Sequence, residues 1–199
     1  MSVQMTRIAD CAEVLPGYAL KARAEHEPEG THQVILGKHL TEGSSYCYNH
    51  KHELRITPKG SVDKYQVSAG DVLFVSRGSR NHAARVESVP GATVASATFY
   101  ILHPHEGIDP GYLAWCLNQA PTQAQIGQVR TGAGTPIVQR KIFAEITIPV
   151  PSLDKQRQLA ALGDLMVKEQ QIRQNLVEET KKLHRALGQQ LLRDLVTED

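Results

Sequence analysis

Three stretches of this chain carry side chains suited to holding a charged polymer rich in hydrogen-bonding groups. The first is Arg130-Thr131-Gly132-Ala133-Gly134-Thr135, which combines one base, two hydroxyls and two glycines and is followed by Gln139, Arg140 and Lys141. The second is Arg77-Gly78-Ser79-Arg80-Asn81-His82. The third is the polar and aromatic set Lys38, His39, Tyr46, Tyr48, Asn49, His50 and Lys51. Phosphate contacts use Lys, Arg, small hydroxyls and free backbone N–H groups, while base edges are read by Arg, Lys, Asn, Gln or Ser. Glycine lets a backbone approach a phosphate closely. Each stretch can also be read as a solvated connection between elements.

Residues for bond-making chemistry are harder to find. The sequence has no GxGxxG after a strand, no GxxxxGK[ST] phosphate loop and no GxSxG nucleophile turn. It also lacks an NPP-type tetrapeptide and a convincing PD…ExK pattern. His50 and His52 would point the same way on a strand, with His39 upstream, but no third ligand stands at metal-site spacing. His103-Pro104-His105 reads as a loop closing a strand. The expectation is a chain with no active site, no metal and no cofactor. Cys11, Cys47 and Cys116 are odd in number and widely spaced, which suits small buried or half-buried thiols rather than a disulfide framework.

The elements that must position these residues divide near residues 149–152. Before that point, residues 33–37 (QVILG), 72–77 (VLFVSR), 83–87 (AARVE), 92–102 (ATVASATFYIL) and 145–150 (EITIPV) read as strands, rich in β-branched and aromatic residues. Residues 109–118 (DPGYLAWCLN) read as a short helix, with Asp109 as cap and Pro110 in the first turn. From Ser152 to about Val196 there is no proline. Leu162, Leu165, Ile172, Leu176 and Leu183 form a heptad-like stripe, interrupted by Glu169 and Glu179. Leu187 and Leu191 carry it on in steps of four. Such a helix reaches roughly 60 Å, with Gly163 and Gly188 as weak points, and its stripe calls for a partner helix from a second chain. The domains expected are residues 1–151, mixed β with helices, and residues 152–199, a long helical arm: an α+β fold class.

Composition agrees with an ordinary globular protein of 199 residues, 41% hydrophobic and 22% charged. No signal pattern opens the chain, and its longest near-apolar run, residues 93–102, is too short to span a bilayer, so a cytoplasmic protein is expected. The intact start and the charged tail Thr197-Glu198-Asp199 lean towards a natural length. Net charge is only +1, unlike a dedicated nonspecific nucleic-acid binder. The charges are unevenly placed, however. No acid lies between Asp109 and Glu145, and Lys64, Arg77, Arg80 and Arg85 are opposed in their span only by Asp71.

Several segments, in order, resemble one family. Residues 70–79 (GDVLFVSRGS) look like the GD-[ILV]-L-[ILV]-S-R-x-G strand of type I restriction–modification specificity subunits, with Arg77, Gly78 and Ser79 in slightly different order. Residues 110–117 (PGYLAWCL) are similar to that family's P-x-Y-L-x-x-x-L helix. Residues 132–150 (GAGTPIVQRKIFAEITIPV) resemble its Gly-rich ending, and 151–160 (PSLDKQRQLA) its P-P-L-x-E-Q-x-x-I-A continuation. The resemblance implies a target-recognition domain joined to a coiled-coil arm. It further implies double-stranded DNA as ligand and a separate methyltransferase subunit, with or without a restriction motor subunit, as partner. With one domain and one arm the chain resembles a half-subunit, for which a homodimer on a palindromic bipartite site is expected. A stand-alone DNA-binding regulator and a protein-binding scaffold remain the alternatives.

Overall fold

The computed structural model of the chain describes residues 3–20 and 25–197. Met1, Ser2, Glu198 and Asp199 lie outside the described residues. The chain opens with β1 (Gln4–Arg7), one helical turn α1 (Ile8–Cys11) and β2 (Ala12–Pro16). There follow β3 (His32–Ile35), β4 (Tyr46–Cys47) and β5 (Arg55–Ile56), separated by 3-10 turns at Gly37–His39 and His50–His52. The central strands are β6 (Val72–Val75), β7 (Ala83–Ser88), β8 (Thr93–Ala95) and β9 (Phe99–Pro104). Two helices, α2 (Pro110–Leu117) and α3 (Ala120–Val129), lead to the short hairpin strands β10 (Arg130–Thr131) and β11 (Ile137–Val138). The turn-and-a-half α4 (Arg140–Glu145), β12 (Thr147–Val150) and the long α5 (Leu153–Thr197) complete the chain.

The run VLFV in β6 is apolar at every position because both faces of its strand are covered. Val72 and Phe74 pack on one side with Ile8, Leu102, Tyr112, Leu113, Leu117 and Phe143. Leu73 and Val75 pack on the other with Ile35, Tyr46, Val86, Phe99 and Ile101. Each large side chain so buried contributes about 1.5–3 kcal/mol. The Phe74 and Phe143 rings stack at 4.3 Å and so fasten α4 to the sheet. The five-stranded sheet has the order β2-β9-β6-β7-β4; a second has the order β5-β3-β8, and β1 pairs with β12. The β4–β7 and β3–β8 pairs are parallel and the other pairs antiparallel, so the architecture is a mixed β domain followed by a long helix.

Asp109 caps α2 as its sequence implies, accepting the Tyr112 amide at 2.8 Å. Other expectations need correction. Residues 92–102 are not one strand: the chain turns at 96–98 and passes from one sheet to the other, the Ser96 amide donating to the Ile35 carbonyl and the Phe99 amide to that of Ser96. His103 lies within β9, not in a loop, with its Nδ1 at 2.7 Å from the buried Asp71 carboxylate. That contact holds His103 above the usual imidazole range. Cys11 and Cys116 are buried, whereas Cys47 is exposed and its thiol donates to Glu87.

Contacts divide the chain into a unit ending at Ala161 and a second unit from Leu162. The first unit keeps the root of α5. Gln156, 1% exposed, accepts the Asp109 amide and donates to the carbonyls of Gly107 and Pro151. In the second unit the helix runs through Gly188 without a break. At 45 residues α5 is about 68 Å long. Leu162, Leu165, Ile172, Leu176, Leu183, Leu187 and Leu191 are all exposed, from 48% at Leu162 to 65% at Leu176. The two acids that interrupt the stripe are paired along the helix, Glu169 with Arg173 and Glu179 with Lys182. No helix among the described residues is long and apolar enough to cross a membrane.

Candidate nucleic-acid interface

Beyond β6 the chain reverses over residues 76–82, and Gly78, at φ +100, takes the left-handed conformation that this reversal needs. The same turn is bound to the Gly-rich hairpin more than fifty residues later. The Gly78 amide donates to the Pro136 carbonyl (2.8 Å), the Val138 amide to that of Ser76 (2.9 Å), and Arg77 bridges Ile137. β11 therefore lies between the turn and β10, which pairs Arg130 with Val138 and Thr131 with Ile137. From the outer strand the Arg130 Nη1 donates across to the Ser79 carbonyl at 2.7 Å. Gly132, at φ +105, opens the hairpin tip.

The structure thus joins two of the three stretches singled out above. Arg77, Ser79, Arg80, Arg130, Thr131, Gly132, Thr135, Gln139, Arg140 and Lys141 are all exposed. No Asp or Glu lies in residues 76–82 or 130–141, so these two segments themselves bring only positive charge to the surface. Arg140 donates to the Val14 carbonyl at 2.9 Å. Tyr100, read only as part of an apolar strand, stands behind the loops: its hydroxyl donates to the Val138 carbonyl. Burial pushes that hydroxyl above the ordinary phenol range, against the pull of Arg140 and Arg77. Its signal in the sequence was slight, a single phenol in a run of hydrocarbons.

Asn81 is different. It is 5% exposed and its amide donates to the Val75 carbonyl, so it braces the turn from inside. His82 is half-buried, and burial lowers its pKa.

The third stretch is divided between the interior and the surface. Tyr46 is buried between the sheets, and His39 is buried with its ring stacked on that of His52 at 4.7 Å. The His39 Nδ1 accepts the Leu36 amide, and burial lowers its pKa to about 4. These placements correct the expectation that Tyr46, His39 and Asn81 face a ligand. Asn49 and Lys51 are exposed, with the Asn49 side chain capping the 3-10 turn at the Lys51 amide, and Lys38 is also exposed. Tyr48 is half-buried, edge-on to His50. Because residues 50–52 form a 3-10 turn and not a strand, His50 and His52 face different neighbours. The parallel rings of His39 and His52 also send their lone pairs into parallel planes that do not converge on one ion.

Comparison with known proteins adds the family. Over 159 residues the chain is 24% identical to the type I restriction enzyme MjaVIII specificity subunit of Methanocaldococcus jannaschii, covering 80% of this chain and 34% of that one. The type I restriction–modification S subunit of M. genitalium shares the fold with a TM-score of 0.55 at 13% identity, over 89% of this chain and 41% of that one. The HsdS subunit of Thermoanaerobacter tengcongensis gives 0.55 at 18%, over 83% and 37%. A chain from a structure of type I R-M complex assembly and conformational transition gives 0.64 at 16%, over 92% and 43%. The chain thus spans about a third to two-fifths of these relatives. Residues 2–176 match the type I restriction modification DNA specificity domain, and the chain belongs to that family.

Proposed function

We propose that this chain reads double-stranded DNA sequence for a type I restriction–modification system, through the surface formed by the 77–80 turn and the 130–141 hairpin and α4 start. The observation that carries this reading is the union of those two basic segments by the Gly78–Pro136, Ser76–Val138 and Arg130–Ser79 hydrogen bonds. The side chains of Arg77, Arg80 and Lys141 make no hydrogen bond or ion pair to a described residue and are available to phosphates. Ser79, Thr131, Gly132, Thr135 and Gln139 supply hydroxyl, backbone and amide groups at the same surface. Lys38, Tyr48, Asn49 and Lys51 form a second, smaller contact region.

Residues 1–151 are the DNA-recognition part and 152–199 the arm. The arm packs its leucine stripe against that of a second copy, and a homodimer so formed reads a palindromic bipartite site. The exposed stripe supports this. Chemistry belongs to a methyltransferase subunit, joined where present by a restriction motor subunit, and this chain works in the cytoplasm with neither active site nor cofactor of its own.

Titration of the full chain against a labelled 30-base-pair duplex across a salt series tests the DNA reading. The logarithm of the affinity should fall linearly with the logarithm of salt concentration, with a slope of about 0.9 per phosphate neutralised. Absence of any salt-dependent binding would leave the scaffold alternative in its place. Light scattering tests the arm: a dimer in the wild type and a monomer in Ile172→Glu/Leu176→Glu are expected, and a wild-type monomer sinks self-association. A shortened control should end after Ala161 rather than at Val150, since Gln156 and Ala160 are buried in the first unit.

A further inference from the structure

We infer that Arg130, the most conspicuous base of the hairpin, is a positioning residue: it braces the 77–80 turn through the Ser79 carbonyl instead of holding DNA itself. This rests on the DNA reading above. Ser79 follows Gly78, whose left-handed backbone turns the chain, and residues 79–80 are exposed. The inner side of the turn is tied by Gly78 to Pro136 and by Ser76 to Val138, and the buried Asn81 amide holds Val75. The outer side is tied across to the hairpin by the 2.7 Å bond from the Arg130 Nη1 to the Ser79 carbonyl. Arg130 can reach it because β10 is the far strand of a three-stranded arrangement in which β11 spaces it from the turn. A guanidinium spans that gap in a fixed planar fork, where a shorter or floppier side chain would not.

The consequence is a division of labour among bases that look equivalent in sequence. Arg77 and Arg80 sit on the turn with exposed side chains that make no hydrogen bond or ion pair among the described residues, so they meet phosphate. Arg130 sits on the hairpin and decides where they stand. Losing Arg130 should therefore act in the protein without DNA, whereas losing Arg80 should act only when DNA is present.

Hydrogen exchange on the full chain, with and without the 30-base-pair duplex, separates these roles. In Arg130→Ala, the amides of Gly78 and Val138 should exchange about tenfold faster without DNA, while those of Leu73 and Ile101 in the sheet stay as slow as in the wild type. Duplex affinity should fall several-fold as well. Arg130→Lys, which keeps the charge but loses the planar fork, should recover little of the protection. Arg80→Ala should leave exchange of the free protein unchanged and lower the salt slope by about one. If Gly78 and Val138 exchange at the wild-type rate in Arg130→Ala, or if they exchange faster with no loss of affinity, the brace is overturned. A wild type that ignores the duplex overturns the DNA reading on which the brace rests, and the wild-type titration detects that failure separately.

Discussion

The segment 38–51 and the paired loops 77–80 and 130–141 both combine basic, hydroxyl and amide side chains, yet they are put to opposite uses. In the first, two of the rings turn inward: Tyr46 fills the space between sheets and His39 stacks on His52. In the second, the main chain is fixed by hydrogen bonds and the charged side chains are left outside. Residue type announces what a side chain can bind, whereas the backbone that carries it decides whether the binding is spent inside the protein.

The largest effect that could break this contrast is at Tyr46. Tyr46→Ala should lower stability by about 3–5 kcal/mol, as for other buried aromatics, while the folded fraction binds the duplex as the wild type does. Melting and duplex titration together decide it; weakened binding with an unchanged melt would make Tyr46 a contact residue after all.

A smaller effect is expected from acid. Burial, reinforced by His52 and Lys38, keeps His39 neutral down to about pH 4, against 6.5 for a free imidazole. The unfolded chain therefore takes up this proton first. Stability is full above pH 6.5 and declines as pH falls from 6.5 towards 4, by on the order of 2 kcal/mol from this group. His103 contributes with the opposite sign: raised by its bond to Asp71, its share is present in acid and lost as pH rises through its folded value. The clean measurement is thus the difference in denaturant midpoint between wild type and His39→Phe from pH 7 to 4.5. Equal slopes in the two proteins would remove His39 from the core.

The smallest effect sharpens the other side. Arg80→Ala should weaken duplex binding by about 1 kcal/mol and lower the salt slope by about one, with the melting temperature unchanged. A lowered melt would mean that the turn, too, depends on its charged residues for folding.

Much of this architecture is legible in the sequence where local signals are strong. The VLFV run, the Asp109–Pro110 helix start and the proline-free arm each carry their own instructions. α3 was less visible, since its Gln-rich sequence contains Gly127 and its one start signal is Pro121 in the first turn. The break within residues 92–102 has no glycine or proline to mark it; it arises because β8 pairs with β3 while β9 pairs with β6 and β2. The meeting of the two basic loops depends on β11 reaching Arg77, a pairing across sixty residues that no periodicity records.

The antiparallel pairing of β1 with β12 sets Gln4 opposite Val150, three residues before α5 begins. The chain thus enters the globular unit beside the point at which it leaves for the helix. A module with its two connections side by side can be spliced into another chain, or repeated in tandem, without a crossover spanning the domain. It can also be reopened elsewhere on its surface once those two points are joined by a short linker, so that circular permutation becomes a practical way to relocate the helix along the sequence while leaving the sheet intact.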